Sequence, residues 1–212
     1  MSRERSYSTY TLDALLEAFA SNAPVPGGGS ASALAGATGV ALLIMVASMQ
    51  KAGTTASVEL AAAAARLRPL RDALTSLIDR DGDAYTSVID ALRLPKGSDA
   101  QAVVQRQAFE SAMREATEAP LEVMRMCRLA LADALIVAAQ GRRSAASDVG
   151  VAIELLRAAA RGASMNVDTN LPALNDTAYV DRVRTERRQL DVDSAADAER
   201  ALALLSRPSG DS

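Results

Sequence analysis

Apolar residues recur along this chain at intervals of three and four, and period-two runs of β-branched or aromatic residues are missing. The pattern therefore predicts helix nearly throughout. A first short helix is predicted over residues 11–20. The loop 21–29 (Ser-Asn-Ala-Pro-Val-Pro-Gly-Gly-Gly) follows, and Ser30 is placed to cap an apolar helix running to about residue 50. A long amphipathic stretch covers 56–94, with Pro69 marking a kink or a fresh start, and Pro95-Lys96-Gly97 breaks it. Ser98-Asp99-Ala100-Gln101 reads as a capping box for the next helix. Pro120 interrupts that helix, the pattern resumes to residue 140, and Gly141 is the stop. Ser147-Asp148 opens a further helix ending near Gly162. Residues 166–175 read as polar and irregular, and the chain from Asp176 is helical but strongly charged.

These elements predict an all-α fold, a multihelical up-and-down bundle with long kinked helices. The 212 residues suit one domain with a sizeable core, here about 12–181, followed by a charged helical tail, 182–212. No charged residue stands between Glu17 and Lys51, and residues 31–49 are long enough to span a bilayer. Interleaved Gly, Ser and Ala, and the lack of a basic or aromatic flank on the amino side, favour a buried central helix instead. No apolar run follows the charged start Met1-Ser2-Arg3-Glu4-Arg5 closely, so no secretory signal is expected.

Composition narrows the chemistry. Histidine is absent, which removes every mechanism with an imidazole base and any His-ligated zinc. The single cysteine, Cys127, allows neither a CxxC metal clamp nor an internal disulfide, and fits a reducing cytoplasm. No metal site is expected. The net charge of -3 gives no sign of a nucleic-acid partner. Chemistry is left to Asp, Glu, Arg, Lys, Tyr, hydroxyls, amides and backbone.

Three features can carry it. In Pro24-Val25-Pro26-Gly27-Gly28-Gly29-Ser30, consecutive glycines before a helix leave bare N–H groups at the positive end of the helix dipole. That suits a carboxylate, a phosphate or a polarised carbonyl; a tight turn between two helices accounts for the same residues. Asp81 is the second feature. It lies in the stripe Leu67, Leu70, Leu74, Ile78, Asp81, Tyr85, Val88, Leu92, whose steps of three and four share one helix face. A carboxylate facing a core must be paired or line a cavity, and desolvation raises its pKa toward acid–base use. An Arg-paired structural Asp is the other reading, and Asp79, Arg80 and Asp83 fall off the stripe as solvated residues. The third feature is the pair Ser147-Asp148 and Asn166-Val167-Asp168-Thr169-Asn170. Ser147 and Asp148 read as an N-cap and a first-turn acid, and asparagines spaced by four either cap a helix or bind a planar polar ligand. Met124, Met126 and Cys127 read as core.

Taken in order, Ala23 to Ser30, Asp81-x-x-Ala84-Tyr85, Leu94-Pro95-Lys96, Pro120-Leu121, Ser147-Asp148-Val149-Gly150-Val151-Ala152 and Asn166-Val167-x-x-Asn170 resemble the cyclodeaminase/cyclohydrolase family. Its members include methenyltetrahydrofolate cyclohydrolases and the C-terminal half of formiminotransferase-cyclodeaminase. The resemblance runs from about residue 12 to 181. It implies an all-α homodimer with folate bound near the glycine loop. The family's acid falls on Asp81, with Tyr85 in place of its Phe. The glycine loop falls on Pro26, Gly27, Gly28, Gly29 and Ser30, the S-D motif on Ser147 and Asp148, and the N-V-x-x-N motif on Asn166 and Asn170. Lys51 alone stands where the family often has a lysine cluster, and Arg142 or Arg143 is the candidate to replace it toward the anionic folate tail.

The activity this implies is one-carbon folate chemistry, with Asp81 as general acid/base and no cofactor beyond the tetrahydrofolate substrate. In the cyclohydrolase direction, 5,10-methenyltetrahydrofolate and water give 10-formyltetrahydrofolate. In the cyclodeaminase direction, formimidoyltetrahydrofolate loses ammonia. Two other classes stay open: a helical module, or drifted paralogue, that binds a folate or a partner protein without turnover, and a membrane-attached protein built on the segment between Glu17 and Lys51.

Overall fold

The structure, a computed structural model, describes residues 6–49 and 57–206. Among these are six α-helices and no strand: α1 (Leu12–Ala20), α2 (Gly28–Ser48), α3 (Val58–Leu92), α4 (Asp99–Gln140), α5 (Ala146–Asn170) and α6 (Thr177–Leu205). The all-α reading holds. Short 3-10 turns at Tyr7–Thr9, Arg143–Ala145 and Leu171–Ala173 complete the chain.

The segment without charge is α2, the buried centre of the bundle, packed on α3 and α5 and more lightly on α4. It is the one helix among the described residues long and apolar enough to cross a membrane, and most of that length is inside the protein. Small residues let its neighbours close in. A β-carbon on Gly39 would lie 2.9 Å from the Ala152 carbonyl oxygen, and one on Gly162 would lie 2.4 Å from Ser32 Oγ. Gly162 is therefore a point of close approach. The helix expected to end there continues to Asn170, and the stretch expected to be irregular from residue 166 is its last turns.

Pro69 and Pro120 both lie inside uninterrupted helices. Each frees the carbonyl four residues earlier. Ala65 is exposed, leaving its carbonyl near solvent. The Ala116 carbonyl is answered by Asn170, whose Nδ2 donates to it at 2.7 Å.

Local caps divide. Ser98 accepts from the Gln101 amide at 3.3 Å, and Asp176 accepts from the Tyr179 amide at 3.1 Å. Ser30 and Ser147 do not cap: α2 starts at Gly28 and α5 at Ala146, with Gly27 and Ala145 in the cap positions. The charged tail is no appendage. α6 runs unbroken across residue 182 and is tied to α4 by Arg125 on Glu186 at 2.6 Å and by Arg128 on Asp197 at 2.7 Å. Cys127 and Met124 are fully buried and Met126 is partly so. Burial pushes the Cys127 thiol up to about 12.

Candidate active site

α2 and α3 form an antiparallel pair in which α2 begins beside residue 81 while α3 runs on for three more turns. α5 ends at the same level, where Asn170 meets Ala116. α3 and α4 thus continue past the ends of α2 and α5, and the step leaves a cleft of about 300 Å³. Its lining comes from the loop (Pro24, Val25, Gly27, Gly28, Gly29), α3 (Asp81, Tyr85, Val88), α4 (Met113, Ala116) and α5 (Asn166, Asn170). The same step explains the stripe on α3. Leu67, Leu74 and Ile78 are buried under α2, whereas beyond it Tyr85 is 41 % and Leu92 48 % exposed, with Val88 buried in the cleft wall between them.

Asp81 is fixed at the mouth of this step. The Ser30 amide donates to its Oδ2 at 2.9 Å, and Ser30 Oγ lies 3.0 Å from the same oxygen. The carboxylate so caps α2 from a distance of 51 residues, filling the role expected of Ser30. Oδ1 lies over Gly29, where a β-carbon would come within 2.0 Å of it. Glycine at 29 is required by this approach, not by a left-handed backbone. Burial raises the Asp81 pKa above the usual carboxylate value, and the two hydrogen bonds from Ser30 only partly offset it.

The fold separates the two readings of a core-facing Asp. Asp133 is buried and takes Arg66 Nε at 3.0 Å; Asp197 is buried and takes Arg128 and Arg200. Asp81 has no basic partner among the described residues. Asp79, expected in solvent, is half-buried and holds the N-terminal segment through Ser6, the Tyr7 amide at 2.6 Å and the Ser8 amide at 3.4 Å. Asp83 is exposed, and the exposed Arg80 pairs with Glu115 at 3.0 Å.

The two asparagines share one face of the last turns of α5. Asn166 Nδ2 donates to the Gly162 carbonyl at 2.9 Å, and Asn170 is spent in the same way on Ala116. Each amide keeps an oxygen as acceptor for a ligand. Gly28 and Gly29, in the first turn of α2, have no preceding helical carbonyl for their N–H groups.

Other expected site residues stand elsewhere. Ser30 is fully buried behind Asp81 rather than lining the cleft, and Pro26 is buried beneath the loop. Ser147 and Asp148 begin α5, 19 residues before Asn166, or about 28 Å away along the axis. Ser147 lines a separate, open apolar depression with Val151, Leu155 and Leu202. Arg142 and Arg143 follow α4, some 40 Å along it from Met113, so they do not reach this cleft in the same chain. Lys51 lies outside the described residues. Met113 and Ala116 also line the cleft and carry no sequence signal, because apolar positions at helical spacing are shared by most of this chain. No cluster of three or more metal-ligating side chains occurs among the described residues.

Comparison with known proteins defines the class. Residues 11–189 match the formiminotransferase-cyclodeaminase family model, and the chain belongs to that family. It is 34% identical over 193 residues to a methenyltetrahydrofolate cyclohydrolase of Methylorubrum extorquens, covering 90% of this chain and 93% of that protein. It is 27% identical to the formimidoyltransferase-cyclodeaminase of Gallus gallus, of which it spans only 37%. A formiminotetrahydrofolate cyclodeaminase from Thermotoga maritima has the same fold, with a TM-score of 0.83 over 93% of this chain and 96% of that one at 24% identity.

Proposed function

We propose that this chain is a one-carbon folate enzyme acting at the N5/N10 bridge of tetrahydrofolate, foremost as a methenyltetrahydrofolate cyclohydrolase. The observation that carries the reading is Asp81: a half-buried carboxylate with no basic partner among the described residues, anchored through one oxygen, at a cleft of small-molecule size. Full-length similarity to a stand-alone cyclohydrolase supports that direction over the bifunctional enzymes, of which the chain spans about a third. The cyclodeaminase reaction is the second activity to test.

The chemistry fits the geometry. The methenyl bridge is a cation, and among the described residues the one charged side chain in the lining is the Asp81 carboxylate. Water adds to the bridging carbon while Asp81 takes its proton. Asp81 returns that proton to N5 as the carbon–N5 bond breaks, and the carbinol hydroxyl gives up its proton to leave the formyl group on N10. The balance is methenyltetrahydrofolate plus water to 10-formyltetrahydrofolate plus one proton. Such general acid–base work contributes about 10²–10⁴-fold. In the other direction N10 attacks the protonated formimidoyl carbon, the N10 proton moves to the departing nitrogen, and ammonia leaves. The Asn166 and Asn170 oxygens accept from pterin N–H groups, and the Gly28 and Gly29 amides donate to its carbonyl.

The test is the near-ultraviolet absorbance of 5,10-methenyltetrahydrofolate with purified protein, with Asp81→Asn alongside. Accelerated, Asp81-dependent loss is expected. A loss no faster than without protein, with formimidoyltetrahydrofolate also left intact, refutes an enzyme and leaves a binding module.

A further inference from the structure

Ser30 is placed for a role other than touching substrate. Its side chain is fully buried, and its Oγ stands between two acceptors from α3: the Ile78 carbonyl at 2.9 Å and Asp81 Oδ2 at 3.0 Å. A hydroxyl carries one hydrogen, so it donates to one of them at a time. Burial keeps water from competing. The Ile78 carbonyl keeps its own helical partner, the amide of Gly82, so neither state leaves an orphan.

We propose that Ser30 is the positioning residue of Asp81, its hydroxyl turning with the carboxylate's protonation state. An ionised carboxylate is the stronger acceptor, so the hydroxyl points to Oδ2 when Asp81 is charged. When Oδ1 takes up a proton, the hydroxyl swings to the Ile78 carbonyl, and the Ser30 amide still holds Oδ2 at 2.9 Å. Oδ2 is the fixed oxygen and Oδ1, over Gly29, is the one that exchanges protons. The carbon frame does not move during the cycle; one torsion does. This rests on the reading of Asp81 as the acid–base group.

The surroundings leave Ser30 as the group that tunes this acid. α2 brings only glycine and serine to it, α4 brings Met113 and Ala116, and α5 brings Asn166 and Asn170. Tyr85, one turn along α3, is the other ionisable side chain in the lining. Asp79 is turned to residues 6–8, and Glu110 to Asn175 at 3.1 Å.

The experiment compares wild type, Ser30→Ala and Ser30→Thr as full chains. It measures the pH dependence of kcat/KM for methenyltetrahydrofolate hydrolysis, and the titration of the Asp81 carboxyl carbon by ¹³C NMR without substrate. In Ser30→Ala both the acidic limb and the carboxyl titration are expected to move to higher pH together. KM stays within about twofold while kcat falls roughly tenfold on the limb, the effect of one charge-assisted hydrogen bond. Ser30→Thr, which keeps the hydroxyl, moves back toward wild type. A Ser30→Ala limb and titration that coincide with wild type overturn the proposal; so does a rise in KM at unchanged kcat, the signature of a substrate contact. Should Ser30→Ala not fold, Ser30→Cys decides by the same titration, its weaker donor giving a smaller shift of the same sign. If wild type shows no turnover, the enzymatic reading fails, and the substrate-free titration still decides the link between Ser30 and Asp81.

Discussion

Asp81 Oδ1 occupies the space that a side chain on residue 29 would fill, 2.0 Å from where its β-carbon would stand. Helix α2 starts with glycine at the one place where a carboxylate from α3 must lie against its backbone. The anchored acid, the bare amides of the glycine loop and the cleft are one arrangement.

Gly29→Ala is expected to displace the carboxylate rather than be absorbed, since no contact of that length survives in a packed protein. Overpacking of this kind costs about 1–3 kcal/mol. Activity is expected to fall further than stability if the displaced carboxylate is the acid–base group proposed above. Urea unfolding and the absorbance assay on the same preparation separate the two effects.

Asp81→Asn is expected to fold, to bind folate, and to turn over about 10²–10⁴-fold more slowly. Its stability runs the other way. Burial raises the Asp81 pKa in the folded state, so the carboxyl's favourable contribution is present at low pH and lost as pH rises through that raised value. At neutral pH the variant is therefore expected to melt at or above the wild-type temperature. The gap should close below the ordinary carboxylate range, which thermal melts at a series of pH values will read. A wild type that melts higher at neutral pH would show that Asp81 is held there for stability.

Asn170→Ala is expected to cost about 1–2 kcal/mol, because it strands the Ala116 carbonyl that Pro120 already deprives of a helical donor. Pro120→Ala restores an N–H four residues on. In that background the same Asn170→Ala change is expected to cost less, a coupling of about 0.5–1.5 kcal/mol in a double-mutant cycle. Additive losses would mean that Asn170 acts only in the cleft.

Asp79→Asn is expected to loosen the N-terminal segment. Burial by itself raises the Asp79 pKa, but the donors from Ser6, Ser8 and the Tyr7 amide outweigh it and hold the carboxyl below its usual value. A lowered folded-state pKa means stability present above the ordinary carboxylate range and lost as pH falls through the folded value. The variant should melt lower than wild type at neutral pH and converge with it in acid, with faster amide exchange at Tyr7 and Ser8.

Much of the cleft is legible in the sequence. Asp81 stands out because a carboxylate interrupts an apolar stripe at helical spacing, and three glycines before a helix are a local signal. The helix ends were less so. Gly162 reads as a stop when only neighbouring residues are considered, since glycine costs about 1 kcal/mol in a helix. Here Ser32 of α2 packs against it, and the helix continues to deliver Asn166 and Asn170.

The sequence by itself determined the helical class, the buried course of α2, the family, and Asp81 as the carboxylate that interrupts an apolar stripe. All of these rest on spacing within one segment or on the order of short motifs. Tertiary structure alone decided which motifs meet. It joined the glycine loop, Asp81 and the two asparagines, and left Ser147, Asp148 and the Arg142–Arg143 pair at the far end of the bundle. It also made Asp81 the cap of α2 and Ser30 its support, reversing the local reading of that serine. The reason is geometric. A helix rises about 1.5 Å per residue, so motifs twenty residues apart on one rod cannot touch, while residues 51 apart on two antiparallel rods can.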